Sequence, residues 1–381
     1  MKVLFLSQGF KIADHPGWDY ALRQLQKERF ITGFVNLPYR GYAAQNGWTA
    51  FYQHVVELCG ADSFDIVYFQ HFHGNDRNSR GVGQCMNSLR KLALMPTIIT
   101  SCGDPFSANW MGPHYPLQFQ EASSHADITF STQMGRAADK IVGWGGKNIV
   151  LSPLASCPVR FQMKSVCVET HPFDFDVVWI GSCNRSHFPN LTSRSFIAAS
   201  QRNRLVRALS SHYQNRFGLF GHNWKGVPSW QGPVPFNEQQ SAFQRGRIVI
   251  DALPYSVADY YASNRPFFSI ISGIPTVMLS VKRLDHILRD QDHCYFCSTP
   301  DEIIATCDRL LSMDPDVLYG RARNAANYVA ERHTQYHRMK FKLDTAMRYR
   351  RNGNHLDVNF PFFLPEIDLN DEMKHAIRGQ V

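Results

Sequence analysis

One stretch, from Gln244 to Thr276, constrains the fold more than any other. It reads QRGRIVIDALPYSVADYYASNRPFFSIISGIPT. A β-branched apolar run, Ile248-Val249-Ile250, is preceded by Arg245 and Arg247. A polar, aromatic loop follows. A helix-like segment is opened by Ser263 and Asn264 and closed by Ser272-Gly273, and Pro275 leads into a second apolar run, Thr276–Leu279. Strand, loop, helix, glycine, strand is a βαβ unit, which requires a parallel sheet. In such units ligands sit outside the carboxyl ends of the strands, often against a helix N-terminus. Arg265 lies in the first turn of that helix, where the dipole least favours a cation. A nearby anion would balance it; an ordinary surface arginine is the alternative.

At 381 residues the chain exceeds one ordinary core, so two domains are expected. A hydrophobic content of 44% against 19% charged residues describes a folded protein rather than a disordered one. The net charge of +8 suits an anionic substrate, an anionic membrane surface or nucleic acid without choosing among them. The nine cysteines are scattered and odd in number. A chain with a large core needs no disulfide staples, so reduced thiols are expected. Cys294-x-x-Cys297 is the only pair of its kind, and a zinc site would want a second. The opening apolar run, Val3 to Leu6, is too short for a signal peptide or a membrane span. A cytoplasmic location is expected, with peripheral membrane contact left open.

In the first half, Val3–Ser7 reads as a buried parallel strand. Its loop, Gln8-Gly9-Phe10, would face the cleft of a Rossmann-like domain, which makes Gln8 a candidate acceptor contact. No GxGxxG follows, so the dinucleotide fingerprint is missing. Residues 17–30 and 48–58 have helical spacing, and Phe34–Leu37 and Ile66–Phe69 read as strands. His71 and His73 stand just past the second of these, as a candidate base and a substrate anchor or as hydrogen-bonded loop histidines. Strand Thr97–Thr100 runs into SCGDPF, which puts Asp104 at another carboxyl end. Asp104 is either a turn former with Pro105 or a general base. Ala126–Ser131 and Asn148–Pro153 complete a doubly wound domain over residues 1–158, and the connection runs from Ala155 to His171.

The second domain, residues 172–340, opens on Phe175–Ile180 and its loop Gly181-Ser182-Cys183. A helix over Ser200–Leu209 carries Arg202, Arg204 and Arg207 as a solvated face. Arg216–Phe220 ends in Gly221-His222-Asn223-Trp224, and Gly232-Pro233-Val234 reads as a turn. Thr299, Pro300 and Glu302 form a helix-start signature. From His333 to Arg351 the sequence continues as a basic amphipathic helix. It is either a solvated face over an apolar stripe or a contact for an anionic surface or nucleic acid. Residues 341–381 form a C-terminal helix and tail that packs back as an extended segment.

The second half resembles the CgeB-like (spore-maturation) branch of the group 1 glycosyltransferases, which have the GT-B fold. FDVVWIGS (Phe175–Ser182), GHNW (Gly221–Trp224), RIVIDALP (Arg247–Pro254), SNRPFFSIISGIPTVML (Ser263–Leu279) and ERHTQYHRM (Glu331–Met339) carry the resemblance in order. It implies two Rossmann-like domains facing a cleft. It also implies transfer of a sugar from a nucleotide-diphosphate sugar to an acceptor hydroxyl on a glycan, glycolipid or protein. The donor would sit mainly on the C-terminal half and the acceptor on the N-terminal half. Arg247 and Arg265, with the backbone at Gly181 and Ser182, would hold the diphosphate. His222 and Trp224 would lie near the donor. Such chemistry needs no cofactor beyond the nucleotide-sugar co-substrate, and no metal where arginines take the developing charge. The family block usually carries Glu, expected on the ribose hydroxyls, three residues after the Arg, but Phe268 stands there. Asp259 or Asn264 would then take the ribose.

If the enzyme inverts, the base would be Asp104 or His71. His73 joins Gln8 on the acceptor side. Two alternatives remain open at this level. One is a sugar transferase acting on a DNA base. The other is a non-catalytic nucleotide-sugar-binding protein on the same scaffold.

Overall fold

The computed structural model describes residues 1–72, 80–103, 107–109, 112–163, 166, 171–183, 194–253 and 258–356. The chain divides into two compact units. One comprises Met1–Phe106, Gly112–Leu154 and everything from Gln335 on; the other comprises Ser107–Met111 and Ala155–Thr334. The sequence reading set these boundaries at 158–172 and at 340.

In the first unit, β1 (Lys2–Ser7) leads through α1 (Pro16–Lys27) to β2 (Gly33–Pro38). Two helices, α2 (Tyr39–Asn46) and α3 (Trp48–Ala61), return the chain to β3 (Ile66–Gln70). Helix α4 (Val82–Leu89) and β4 (Thr97–Ser101) follow; the short strand β5 (Ser107–Asn109) is counted with the second unit and β6 (Gly112–His114) with the first. Helix α5 (Leu117–His125), β7 (Ile128–Ser131), α6 (Arg136–Gly143) and β8 (Ile149–Leu151) complete the series. The six-stranded sheet has the order β2-β1-β3-β4-β7-β8, and its pairs are parallel. Side chains alternate across it. Leu4 and Leu6 face Tyr39, Phe51, Val55 and Met86, whereas Val3 and Phe5 face Trp18, Leu22, Leu25, Met339 and Leu343. Both faces are therefore covered, which explains why β1 reads as an unbroken apolar run.

The second unit contains β9 (Phe175–Ile180), α7 (Arg194–Tyr213), β10 (Phe217–Phe220), β11 (Trp230–Gly232), α8 (Gln239–Gln244) and β12 (Gly246–Asp251). It continues with α9 (Asn264–Ile271), β13 (Thr276–Leu279), β14 (Tyr295–Cys297), α10 (Pro300–Leu311) and α11 (Pro315–Arg332). Its sheet has the order β11-β10-β9-β12-β13-β14, again parallel. Numbered along this domain, that is 3-2-1-4-5-6, the doubly wound order whose direction reverses between its first and fourth strands. The reversal here lies between β9 and β12. Local signals place the helices. Ser263 caps α9 by accepting the backbone N–H of Arg265, Thr299 caps α10 and Asp314 caps α11, with Pro at the first position of the last two.

Three sequence readings change. Gly232, assigned with Pro233 and Val234 to a turn, is the last residue of the edge strand β11. Arg202 is buried, while Arg204 and Arg207 remain on the exposed face of α7. The basic segment α12 (Gln335–Arg351) packs on α1 in the first unit. Among the described residues, five of its six Lys and Arg side chains have partners there. Arg338 bonds the Pro153 carbonyl, Lys340 meets Glu28, Lys342 bonds Tyr68, Arg348 meets Asp344 and Arg350 meets Asp65. The cations read as a contact for an anionic surface or nucleic acid are thus engaged within the fold. The tail expected after Asn354 lies mostly outside the described residues, which end at 356.

Candidate functional site

The reversal point of the second sheet gathers three short segments. Strand β9 ends at Ile180 and gives Gly181-Ser182-Cys183; β10 ends at Phe220 and gives Gly221-His222-Asn223-Trp224. The two loops are laced together. Gly181 donates its N–H to the Phe220 carbonyl and Cys183 to the His222 carbonyl, each at 2.9 Å. The His222 N–H donates to Ser182 Oγ at 3.3 Å, and the Trp224 indole donates to the Gly181 carbonyl at 2.5 Å. Gly221 has φ 131°, and a Cβ there would lie 2.3 Å from the Gly181 oxygen. Only glycine fits this position.

Strand β12 supplies the third segment through its last residue, Asp251, and the N-terminus of α9 supplies Arg265. Arg265 Nη1 lies 3.9 Å from Asp251 Oδ1; the Arg265 side chain is 25% exposed and that of Asp251 only 2%. Both Asp251 oxygens, Arg265 Nη1 and Trp179 Nε1 are buried without hydrogen-bond partners. Such atoms are rare in a folded protein, and four in one place call for a ligand or a movement that satisfies them. Burial pushes the Asp251 carboxyl above its ordinary range, and the charges of Arg265 and Arg202, with the neighbouring Ala252 N–H just outside hydrogen-bond geometry, pull it part of the way back. Arg202 donates twice to the Ala252 carbonyl, at 2.9 and 2.8 Å. Gly181 completes the arrangement: a Cβ there would stand 2.9 Å from Arg265 Nη1 and 3.0 Å from Trp179 Nε1. A guanidinium in the first turn of a capped helix, beside a side-chain-free loop, is a set of donors suited to an anion.

Of the sequence-predicted donor residues, Gly181, Ser182, His222, Trp224, Asn264 and Arg265 lie on these loops and this helix start. Trp224 is 2% exposed and supports the Gly181 loop with its indole, while His222 is exposed. Asp259 pairs with Lys282 at 2.7 Å. Arg247 does not join Arg265. It is the second residue of β12 and faces Asp176 at 3.6 Å at the amino edge of the sheet. Four residue steps along the strand take it to Asp251, about 13 Å in an extended conformation. The reason is strand direction: a basic residue before a parallel strand lies at the end opposite the ligand. Phe268, in the position of the expected Glu, is buried on Phe161.

In the first unit, His71 follows β3 with φ 47° and is 8% exposed. Its N–H donates to the Ser101 carbonyl at 3.0 Å, its carbonyl accepts the Tyr39 hydroxyl, and its ring lies against Gly103. The Gln8 N–H donates to Gln70 Oε1 at 3.1 Å, so Gln8 and His71 share the carboxyl edge of that sheet. Asp104 and His73 lie outside the described residues. Among the described residues no three His, Cys, Asp or Glu side chains converge as metal ligands, the eight cysteines are free and buried, and no helix is long and apolar enough to cross a membrane.

The sequence reading missed Asp251, Trp179 and Arg202. A polar residue ending the apolar run of β12 was the available signal for Asp251; a tryptophan inside FDVVWI and an arginine among arginines gave none.

Residues 200–344 match the family model described as glycosyl transferase-like. No curated protein matches the chain. Solved structures with the same fold include an alpha-glucosyltransferase in complex with UDP and a 13-mer DNA. It is 9% identical with a TM-score of 0.58, covering 91% of this chain and 99% of that one. Another is an alpha,alpha-trehalose-phosphate synthase (UDP-forming) from Burkholderia vietnamiensis, 10% identical with a TM-score of 0.56, covering 93% and 99%. A third is HepE from Anabaena in complex with UDP and glucose, 10% identical with a TM-score of 0.53, covering 91% and 100%. The two Rossmann-like units are those of the GT-B fold.

Proposed function

We propose that this chain, a glycosyltransferase that moves a sugar from a nucleotide-diphosphate sugar to an acceptor hydroxyl, holds the donor diphosphate at the carboxyl edge of its second sheet. The observation that carries this is the site at the β9–β12 reversal. Arg265 stands there in the first turn of a capped helix, its inner nitrogen and the Trp179 N–H converging beside Gly181. The family match over residues 200–344 supports the same half of the chain as the donor side.

Departure of the sugar leaves negative charge on the diphosphate. The Arg265 guanidinium at the start of α9 lies where that charge grows, and once closed on the bound diphosphate it takes the charge up without further reorganisation. The reading assigns this work to the protein, without a metal. Ser182 and the backbone of the Gly181 loop would approach the phosphates, with His222 and Asn264 beside the nucleotide or sugar. On the first unit, Gln8 and His71 lie on one sheet edge, as expected for groups facing an acceptor. Two of the three structural neighbours are complexes with UDP and the third is named as UDP-forming, which makes UDP the first nucleotide to try. Membership of the CgeB-like branch is part of the same proposal and rests on the ordered motifs from Phe175 to Met339.

A melting-temperature screen against UDP, dTDP, GDP, ADP and CDP, with EDTA and then with Mg²⁺, tests the reading. A ligand that binds only the folded state raises the melting temperature by mass action. One nucleoside diphosphate should produce a saturating rise in EDTA. A rise only with Mg²⁺ would remove the metal-free account, and no rise with any of them would remove the donor site.

A further inference from the structure

The Asp251 carboxyl and the inner nitrogen of Arg265 are buried, lack hydrogen-bond partners among the described residues, are chemically complementary, and stand 3.9 Å apart. A hydrogen bond between a guanidinium and a carboxylate closes near ~2.8 Å, so the pair stands about one ångström from contact. We propose that Asp251 is a positioning residue for the donor: its carboxylate takes the inner nitrogen of Arg265 and so aims the outer edge of the guanidinium at the diphosphate. This rests on the donor-site reading and deepens it.

The guanidinium has two distinct edges here. Nη1 is buried, yet a quarter of the side chain is exposed. A planar fork with five N–H donors can serve an internal carboxylate on one edge and an external anion on the other. Gly181 leaves room for this orientation, since a Cβ there would stand 2.9 Å from Nη1. The charged and titratable groups facing Asp251 are Arg265 from α9, Arg202 from α7 and the Cys294 thiol just before β14. Two guanidinium charges against one carboxyl leave the cluster cationic in either form of the carboxyl, which suits an anionic ligand. Arg202 is committed to the Ala252 carbonyl through Nε and Nη2, and it fixes the end of the strand that carries Asp251. When an anion draws Arg265 into its bound geometry, closure on Asp251 satisfies both buried partners at once.

The test is a double-mutant cycle read by calorimetric titration with the nucleoside diphosphate selected by the screen above. The variants are Asp251→Asn, Asp251→Ser, Arg265→Ala and the doubles, each verified folded by circular dichroism. Asp251→Asn should weaken binding about tenfold in the wild-type background and less than about twofold in the Arg265→Ala background, because removal of Arg265 removes the group through which Asp251 acts. Asp251→Ser provides the same comparison if the amide variant does not fold. Equal losses in both backgrounds, or no loss with Arg265 present, would overturn the inference and leave the donor site standing. Failure of the wild-type protein to bind any nucleoside diphosphate would overturn both.

Discussion

The ring of Phe268 lies flat on that of Phe161, with centroids 3.9 Å apart and planes inclined by 6°. Phe236 meets Phe268 edge-on at 5.6 Å, and the Arg160 guanidinium sits 4.7 Å above Phe236. The resemblance places a ribose-binding carboxylate at position 268; the fold places an aromatic stack there. Phe161 and Phe268 are 1% and 3% exposed, so this is core rather than a platform for a ligand. Phe268→Ala should lower stability by about 3–5 kcal/mol, the cost of emptying a buried phenylalanine site. Phe268→Glu should cost at least as much, since a carboxylate would enter an apolar stack unpaired. Urea denaturation measures both. Recovered stability in the Glu variant, with tighter binding of the ribonucleotide than of its 2′-deoxy form, would show that the site still accepts a ribose carboxylate.

The two arginines that resemble diphosphate ligands in the sequence are separated by the length of a strand. Arg265→Ala should weaken binding of the nucleoside diphosphate by at least about 1.5 kcal/mol, roughly tenfold, the scale of a lost charge-assisted hydrogen bond. Arg247 pairs with Asp176, on a half-exposed surface that Arg216 shares, and its loss should leave that affinity within about twofold while costing about 0–1 kcal/mol of stability. Calorimetric titration of both variants checks the pair. Equal losses would return Arg247 to the site.

The contrast between these arginines shows what the sequence carries. Apolar runs, the Ser263 cap and the glycine closing the helix specify the βαβ unit from Gln244 to Thr276, because each is a local signal with a local cause. The end of a strand at which a side chain lands depends on chain direction, which places Arg247 away from the ligand edge even though it lies close to Asp251 in sequence. Arg202 was hidden for a different reason. It stands two residues before exposed Arg204, across the helix from it, and only the Ala252 carbonyl, fifty residues away in the chain, gives it a buried partner. Asp251, Trp179 and Arg265 meet because three strand and helix ends converge, and no spacing within one segment encodes that.

Two glycines of the site should respond differently to the same substitution. At Gly221 an added Cβ meets backbone, 2.3 Å from the Gly181 oxygen, in a backbone conformation of φ 131°. Gly221→Ala should therefore destabilise the fold by about 2 kcal/mol or more, combining strain with a contact that cannot relax. At Gly181 the nearest atom is the tip of Arg265, which can swing aside, and the Trp179 indole nitrogen at 3.0 Å need give by only a few tenths of an ångström. Gly181→Ala should cost about 1 kcal/mol or less in stability yet weaken nucleotide binding several-fold. Melting curves and titrations on the same preparations separate the two effects. The reverse ranking would mean that the Gly181 loop is structural and the Gly221 loop is not.

In the first unit, Lys342 is buried within α12 among Trp18, Tyr68 and Phe130, whose ring centroids lie 5.4, 5.2 and 5.6 Å from its nitrogen. Its nitrogen donates to the Tyr68 hydroxyl at 2.7 Å. Burial, with a smaller contribution from the Arg338 charge, pulls its pKa down to about 7. In the unfolded chain the same lysine titrates near ~10.4. Between those two values the unfolded state binds a proton that the folded state does not, so this group makes stability rise with pH from about 7 upward and level off below. The slope approaches about 1.4 kcal/mol per pH unit at most. Lys342→Met keeps the volume and removes the titration. The Met variant should be more stable than the wild type at pH 7, and the gap should narrow steadily towards pH 9. Taking the difference between the two proteins cancels the cysteines and tyrosines that titrate over the same range. Urea denaturation at pH 7, 8 and 9 reads it directly, and a gap that stays constant with pH would mean that Lys342 is charged in its aromatic enclosure throughout.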